Sequence, residues 1–576
     1  MTESAEKAGP LPRNPELAAQ FELLADLMEL EGADSFRISA YRRAASRINE
    51  TGSSVARLAL EGRAKELQGI GKTIEEKIVE VVDDGEIHAL TKRKAEVPEE
   101  VARFMRLPGL GPKTARRIWK ELGITTVQEL RLAAQERRLR DLPGLGAKSE
   151  EKILAELAKP RAAEGPVRTL LGSTLPRLRE VAQTLTEHPS ALRVSIAGSA
   201  RRFRETVRDL DLIATATDAP ALLSAFCELP WVVEVAAKGP TKATVIGQDG
   251  LRFDLRVVPP ESYGNLLQHF TGSKAHNVAI REAAVRQGLS VSEYGIAEVE
   301  TGTVHAFETE EEVYEFLGYD WIPPELRENG GELEAARAGA LPALVERDDI
   351  RGDLHTHTTW SDGKDTLEAM VATAIDRGYD YYAICDHSHR LRDGRLAAQA
   401  AAIAELDATV PIRLLKGIEV NIRSSGEVDV ADDDLATLDW VVASVHNAFD
   451  NDPTGRVLAA MENPYVDCIG HLTGRKIGRR DPSPIDVERV IEKALETGTF
   501  LEINSQPDRL DLSDVHARAA REAGLKLVID SDGHQTAALG YVELGVGQAR
   551  RAWLTKDDVV NTRTWKQIEK LRKRRP

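Results

Sequence analysis

The residues most able to do chemistry fall into two sets. The first lies in IAGSARRFRETVRDLDLIA, residues 196–214. Asp209 and Asp211 alternate along a predicted strand, so both carboxylates leave one face. Asp254, in LRFDLRVV, is a third acid on a later predicted strand. Three convergent carboxylates are costly to pack unless a cation neutralises them. Hard oxygen donors with room for substrate phosphates select two Mg²⁺ or Mn²⁺ ions, which clamp the attacking and leaving oxygens of a phosphoryl transfer. Gly198-Ser199, eleven residues ahead of the acid pair, can offer backbone and hydroxyl donors to a triphosphate. An isolated Asp-x-Asp is more often an edge-strand charge pair. With the Gly-Ser turn and a third strand-borne acid it becomes a nucleotidyltransferase pattern, whose acceptor stays open: a nucleic-acid primer, a transfer RNA end or a small antibiotic.

The second set begins in RGDLHTHTTWSDG, with His355, His357 and Asp362. Further candidates end successive apolar runs: Asp386-His387 after YYAIC, Glu419 after LLKGI, His446 after WVVASV, His471 after VDCIG, and Asp532 and His534 after KLVID. Strands alternating with helices predict a βα barrel, where all strand C-termini share one mouth. Mixed imidazole and carboxylate donors favour Zn²⁺, Mn²⁺ or Fe over Mg²⁺ alone. Six of the thirteen histidines belong to this set, which is hard to reconcile with satisfied core histidines.

Other elements must bring a substrate to these groups. One pattern occurs three times: LQGIGKTIEEKI at 67–78, LPGLGPKTARRI at 107–118 and LPGLGAKSEEKI at 142–153. The glycine pairs Gly69/Gly71, Gly109/Gly111 and Gly144/Gly146 allow a tight turn and close backbone approach. The following helix adds the positive end of its dipole, and Lys72, Lys113 or Lys148 adds a charge. Together these make phosphate grips that read no base sequence, as in helix-hairpin-helix DNA binding. A plain helix-helix turn looks like one such copy, but not like three.

The chain of 576 residues is long enough for three to five modules. No apolar run approaches the ~20 residues needed to span a bilayer. Met1 to Glu16 is polar, with no leader-like apolar core, and Cys227, Cys385 and Cys468 lie far apart; a cytoplasmic protein is expected. The net charge of −17 decides nothing, because phosphate binding depends on local surface and on aimed N–H groups. Helical spacing dominates up to about residue 165. Strands are predicted at 192–197, 209–215, 231–238, 242–247 and 251–258, followed by the Pro- and Gly-bearing stretch 325–348, read as a linker.

YGNLLQHFTGSKAHNVAIREAAVRQGL, residues 263–289, resembles the substrate-facing region of DNA polymerase beta and its family X relatives, and DWIPPELRE at 320–328 resembles that family's usual close. Residues from 349 on resemble the polymerase-and-histidinol-phosphatase (PHP) domain, with all nine ligands of its pattern present. The resemblance implies an α and α/β multidomain fold: a tail at 1–14, a helical DNA-binding domain at 15–90, helix-hairpin-helix at 91–165, a nucleotidyltransferase α+β palm at 166–260, a nucleotide-selection subdomain at 261–324, and a distorted TIM-like PHP barrel at 349–576.

By the same resemblance, Asp209 and Asp211 hold both metal ions and Asp254 the ion that activates the primer hydroxyl. Ser199 and Arg202 hold the triphosphate, beside Gly198. Gly272 approaches the sugar, Lys274 lies along the base, and Asn277 and Arg281 touch the nascent pair and template. His269-Phe270 replaces a Tyr-Phe pair, which puts ribonucleotide discrimination in question. In the barrel, His355, His357, Glu419 and Asp532 hold one metal, Glu419 bridges to a second with His446 and His471, and Asp362, His387 and His534 hold a third: up to three Mn²⁺, Zn²⁺ or Fe ions. Arg475 and His389 become candidates for the scissile phosphate. Lys77 matches the place of a Schiff-base lysine, and Arg42 is kept near the site for a 5′ phosphate.

The implied activity is gap-filling DNA polymerisation with a 3′–5′ exonuclease, and cleavage at abasic sites besides, by a monomer acting on gapped or primed DNA and deoxynucleoside triphosphates in the nucleoid. A small-molecule phosphatase joined to a nucleotidyltransferase is the first rival. A DNA-binding scaffold with decayed sites is the second.

Overall fold

The computed structural model describes residues 11–573 except 52, 68, 106, 108, 109, 143, 144 and 159–167. Gly109, Gly144 and the side chain of Lys148 thus lie outside the described residues. The chain forms two compact units, Met1–Val167 and Arg168–Pro576.

The first unit is helical. One apolar core runs through it from Leu17 to Leu157, so the two N-terminal domains expected from the sequence share a single interior. The repeated motif folds the same way three times. The aliphatic residue between the glycines is buried (Ile70, Leu110, Leu145), and its N–H donates to the leucine carbonyl three residues back at 3.0 Å in each copy. Helices then start at Lys72–Asp84, Pro112–Leu122 and Ala147–Ala158, with Ile78, Ile118 and Ile153 on their buried faces.

The second unit opens with a five-stranded sheet: β1 (Ala191–Ile196), β2 (Asp209–Ala216), β3 (Val232–Lys238), β4 (Lys242–Gly247) and β5 (Arg252–Val257), in the order β1-β2-β5-β4-β3. These match the predicted strands closely, because each is a Val/Ile/Leu run bounded by turn residues. Helices Tyr263–Thr271 and Lys274–Val285 follow, then a three-stranded antiparallel sheet of β6 (Leu289–Ser292), β7 (Gly295–Glu298) and β8 (Val304–His305).

Residues 325–348 are not a linker. Leu326, Leu333 and Ala336 are buried in the core of the preceding subdomain, and Val345 is buried in that of the barrel. Arg327 and Glu332 are fully buried too. Pro323-Pro324, just ahead, and Gly330-Gly331 mark turns within packed structure, and the apolar residues after each pair decide burial.

Seven parallel strands complete the unit: β9 (Gly352–Asp353), β10 (Tyr381–Ile384), β11 (Arg413–Asn421), β12 (Trp440–Ser444), β13 (Cys468–Ile469), β14 (Phe500–Asn504) and β15 (Leu527–Asp530), each beside the next in sequence. A parallel bridge between Thr356 and Gly533 brings the last strand's end to the first's, so the sheet nearly closes. Tyr381, Trp440 and Phe500, at strand starts, cluster with Trp565 of the helix Trp565–Leu571, which covers the N-terminal end. The C-terminal ends form the other mouth. Among the described residues no helix is long and apolar enough to cross a membrane.

Two candidate active sites

In the five-stranded sheet, β2 and β5 are parallel, and their register sets Asp211 directly beside Asp254. Asp209 lies two residues back on the same face. Burial, then the charges of Asp254 and Asp209, push Asp211 up to about 7, the signature of an anionic cluster short of positive charge. Half-exposed arginines partly supply it: Arg208 pairs with Asp209 at 2.6 Å, and Arg252 with Asp254 at 2.9 Å. Gly198 opens the short helix Gly198–Arg201 at φ +62°, where a Cβ would meet Asp211 Oδ2 at 2.1 Å. Glycine is therefore needed twice there, for the turn and for the approach. The group is suited to hard divalent cations.

At the barrel mouth Glu419 is the hub. Its Oε1 lies 3.2 Å from His446 Nε2 and 3.1 Å from His471 Nε2. Its Oε2 lies 2.8 Å from His387 Nδ1, 3.5 Å from His355 Nε2 and 3.7 Å from His357 Nε2. Asp532 Oδ1 approaches His357 Nε2 at 3.2 Å, and Asp362 approaches both His387 and His534, at 3.5 and 3.4 Å. The ring nitrogens His355 Nε2 and His357 Nε2 are buried without hydrogen-bond partners and face these carboxylates. Burial pushes His357 down to about 4 and His471 to about 3, which keeps both in the neutral, ligating form. His471 (φ +28°) and Asp532 (φ +50°) hold left-handed backbone that non-glycine residues seldom adopt.

Among the described residues three groups could each hold a metal ion: His355, His357 and Asp532; His357, Asp362, His387 and His534; and His387, Glu419 and His446. The nine expected ligands converge: these groups contain eight of them, and His471 contacts Glu419 Oε1 at 3.1 Å. The grouping differs from the expected one, since His357 and His387 each belong to two groups and Glu419 stands with His387 and His446 rather than with His355, His357 and Asp532.

Sequence reasoning missed the residues that orient these ligands. Glu502, on β14, accepts from His355 Nδ1 at 2.6 Å and from the backbone N–H of His471 at 2.6 Å. Asn421 Oδ1 fixes His446 through Nδ1 at 2.7 Å. Asn504 donates to both Glu502 and Asp532. The signal was present: FLEIN carries one acid in a wholly buried strand of a barrel whose other strand ends all bear ligands. Asp386 is no ligand; it holds the loop after His357, accepting from Thr358, Ser361 and Gln399.

Comparison with known proteins assigns four segments of the chain to known domains. The helix-hairpin-helix domain model matches residues 12–87, the SAM-like helix-hairpin-helix tandem 101–159, the DNA polymerase beta thumb 266–328 and the PHP domain 353–506. The DNA polymerase/3′-5′ exonuclease PolX of Bacillus subtilis (strain 168) is 40% identical over 96% of this chain and 98% of its own. The chain belongs to the bacterial family X DNA polymerases with a PHP domain. Its barrel alone is similar to smaller proteins, such as a "probable phosphatase" of Thermoanaerobacter sp. (strain X514), 31% identical over 39% of this chain and 95% of its own.

Around this family X palm the expected nucleotide contacts are partly engaged with one another. Asn277 Nδ2 donates to the carbonyls of His269 (2.7 Å) and Gly272 (3.2 Å), and a Cβ on Gly272 would meet Asn277 Oδ1 at 2.7 Å. Arg281 reaches His269 Nδ1 at 3.4 Å, Arg256 lies over Phe270, and Lys274 is exposed at the helix start. Arg202 is not open to a triphosphate as expected: it donates to Glu328 at 2.9 Å and to the Thr271 carbonyl at 2.7 Å. Ser199 lies in the Gly198–Arg201 turn beside the acids.

Two other basic candidates are likewise held elsewhere. Arg475 pairs with Glu205 of the palm at 2.7 Å and donates to the Arg509 carbonyl at 2.8 Å. Arg42 is shared by Asp26 and Glu29, at 3.0 and 2.5 Å. In both cases the opposing acids come from segments remote in sequence. His389 is exposed, its ring 5.3 Å from that of His387. In the hairpins Gly69 is left-handed (φ +88°), Gly71 and Gly111 cap their helices, and Gly146 accepts the first helical N–H of its own. Lys72 and Lys113 are exposed. Lys77 is 14% exposed, 3.9 Å from Glu80.

Proposed function

We propose that this protein fills gaps in damaged DNA, adding deoxynucleotides at Asp209, Asp211 and Asp254 and removing 3′ nucleotides at the PHP site. The observation that carries this reading is the coexistence of two complete acid constellations in one compact unit of a chain similar end to end to a polymerase/exonuclease. Asp209 and Asp211 would hold two Mg²⁺ or Mn²⁺ ions, with Asp254 on the ion nearest the primer hydroxyl. The nine barrel ligands would hold up to three Mn²⁺, Zn²⁺ or Fe ions. When bound, such ions supply charge stabilisation to a phosphoryl transfer and an acidified water to a hydrolysis.

The chain's own groups do the rest. The Gly198-Ser199 turn presents donors to phosphate. Gly272 and Asn277 shape the floor beneath the nucleotide. Glu502 and Asn421 fix the tautomers of His355 and His446, so that their second nitrogens stay aimed into the site. The three hairpins give DNA backbone contacts, and the protein acts as a cytoplasmic, nucleoid-associated monomer that also cleaves at abasic sites.

The test is metal analysis of the purified protein, with primer extension and 3′ degradation measured on one gapped duplex. Extension and degradation that both disappear on chelation and return with Mn²⁺ are expected. Hydrolysis of small phosphate esters with neither DNA activity would overturn the reading.

A further inference from the structure

Several basic residues around the barrel mouth are engaged. Lys476 pairs with Asp508 at 2.8 Å, and Arg480 donates to the Gly474 carbonyl while lying over Phe449. Arg456 donates to backbone carbonyls of residues 422, 423, 447 and 448. Arg475 faces the palm.

Arg509 differs. Its side chain is only 13% exposed, its Nε is buried with no hydrogen-bond partner, and its nearest acid is Asp532, whose Oδ2 lies 3.8 Å away. Asp532 belongs with His355 and His357 on the Oε2 side of Glu419. Arg509 thus stands beside a ligand of that group.

The loop that carries it is fixed from two directions. Asn504 and Asp511 exchange backbone hydrogen bonds across its base at 2.7 and 3.3 Å, and Arg475 holds the carbonyls of Arg509 and Leu510. Leu510 itself is buried in the palm core. A guanidinium held this way costs little reorganisation when an anion arrives.

We infer that Arg509 binds the scissile phosphodiester in the barrel, taking a non-bridging oxygen. The inference rests on the barrel's being a DNA phosphodiesterase. Hydrolysis forms a P–O bond to a water oxygen and breaks the P–O3′ bond. The 3′ oxygen leaves with a proton, and the released nucleotide keeps its 5′ phosphate. Arg509 gives up no proton; it balances the charge that grows on the phosphoryl oxygens.

The test compares full-length R509K and R509Q with the unaltered protein. Four quantities are read: kcat/KM for 3′ degradation of a single strand, equilibrium binding of the same strand with a 3′ phosphorothioate, bound metal, and primer extension. R509Q is expected to lose about a hundredfold in degradation and to bind the phosphorothioate strand more weakly, with bound metal and extension unchanged. R509K, which keeps the charge without the fork, should fall between. Loss of bound metal in step with degradation would overturn the inference and make Arg509 a support for Asp532; unchanged degradation would overturn it as well. If the unaltered protein cleaves p-nitrophenyl phosphate but not DNA, the phosphodiesterase reading fails on its own, and the same comparison on that ester still decides for or against Arg509. A protein that cleaves neither overturns both.

Discussion

Arg475 of the barrel and Glu205 of the palm form a 2.7 Å ion pair, and Glu205 lies seven residues past Gly198, where the polymerase site begins. The two sites use separate acids, yet the loops beside them are tied together. Phe203 packs on Gly547, where a Cβ would meet its ring at 2.3 Å, and Leu510 and Leu544 complete the palm core around Leu171 and Leu175.

Because the acids are separate, the activities should be separable by substitution. Asp209→Ala with Asp211→Ala is expected to abolish extension and leave degradation within about twofold. Glu419→Ala or His387→Ala should do the converse, since removing a ligand or its second-sphere partner typically costs 10- to 100-fold or more. Paired assays on gapped duplex read both; loss of both activities in a folded variant would contradict the two-site arrangement.

Because the loops are tied, the modules should not be separable by truncation. A chain ending near Arg347 would expose the apolar surfaces that Leu510 and Leu544 cover, and strip the clasp in which Arg551 holds Glu328 at 3.0 Å and Asp514 at 2.6 Å. Removing one partner of a buried ion pair costs roughly 3–5 kcal/mol, so Arg551→Met should lower stability by about 3 kcal/mol in denaturant melts. Burial opposes the shift, but Arg551 holds both acids down, at about 2 in the fold. Their folded values lie below the unfolded ones, so the contribution is fully present above about pH 5 and fades as pH falls toward 2. The stability gap between the unaltered protein and Arg551→Met should therefore narrow on acidification; a gap independent of pH would show that the clasp is packing alone.

Much of this architecture was legible from local patterns. The Asp triad could be read because two-residue alternation fixes a face, and His387, Glu419, His446, His471 and Asp532 because they follow apolar runs. What stayed hidden depends on pairings between remote segments. Nothing near Arg202, Arg475 or Arg42 in sequence marks Glu328, Glu205 or the Asp26/Glu29 pair as partners. Residues 325–348 misled for a related reason: their turn residues are local signals, whereas the burial of Leu333 and Val345 depends on surfaces formed elsewhere.

Gly198→Ala tests how finely the polymerase site is set. The added methyl would collide with Asp211 Oδ2, and a displacement of about 1 Å in a reacting group can cost about a hundredfold. Extension should fall by at least that factor, with degradation unaltered. Retained extension would mean that Asp211 can relax without consequence.

His269 tests sugar selection. Its ring is held beside Phe270 and Arg281, and burial disfavours its charged form. Preference for deoxynucleotides is expected to stay below about 200-fold, the range one small group commonly contributes, and to rise in His269→Tyr. Competition between ATP and dATP on a primed template measures it. Strong discrimination in the unaltered protein would show that His269 does not relax sugar selection.

Lys77 is the remaining chemical candidate. It lies in the second turn of the helix Lys72–Asp84, and its side chain is mostly buried, 3.9 Å from Glu80, whereas Glu76 pairs with Lys72 instead. The site for a 5′ phosphate is thin, because Arg42 is committed to Asp26 and Glu29. If the amine is nonetheless active, borohydride should trap a covalent complex with DNA ending in a 5′ deoxyribose phosphate. Trapping should vanish in Lys77→Ala and survive in Glu80→Gln, which keeps the amine. Trapping that survives Lys77→Ala would assign the Schiff base to another amine, and no trapping in any of the three proteins would leave Lys77 as part of the DNA grip.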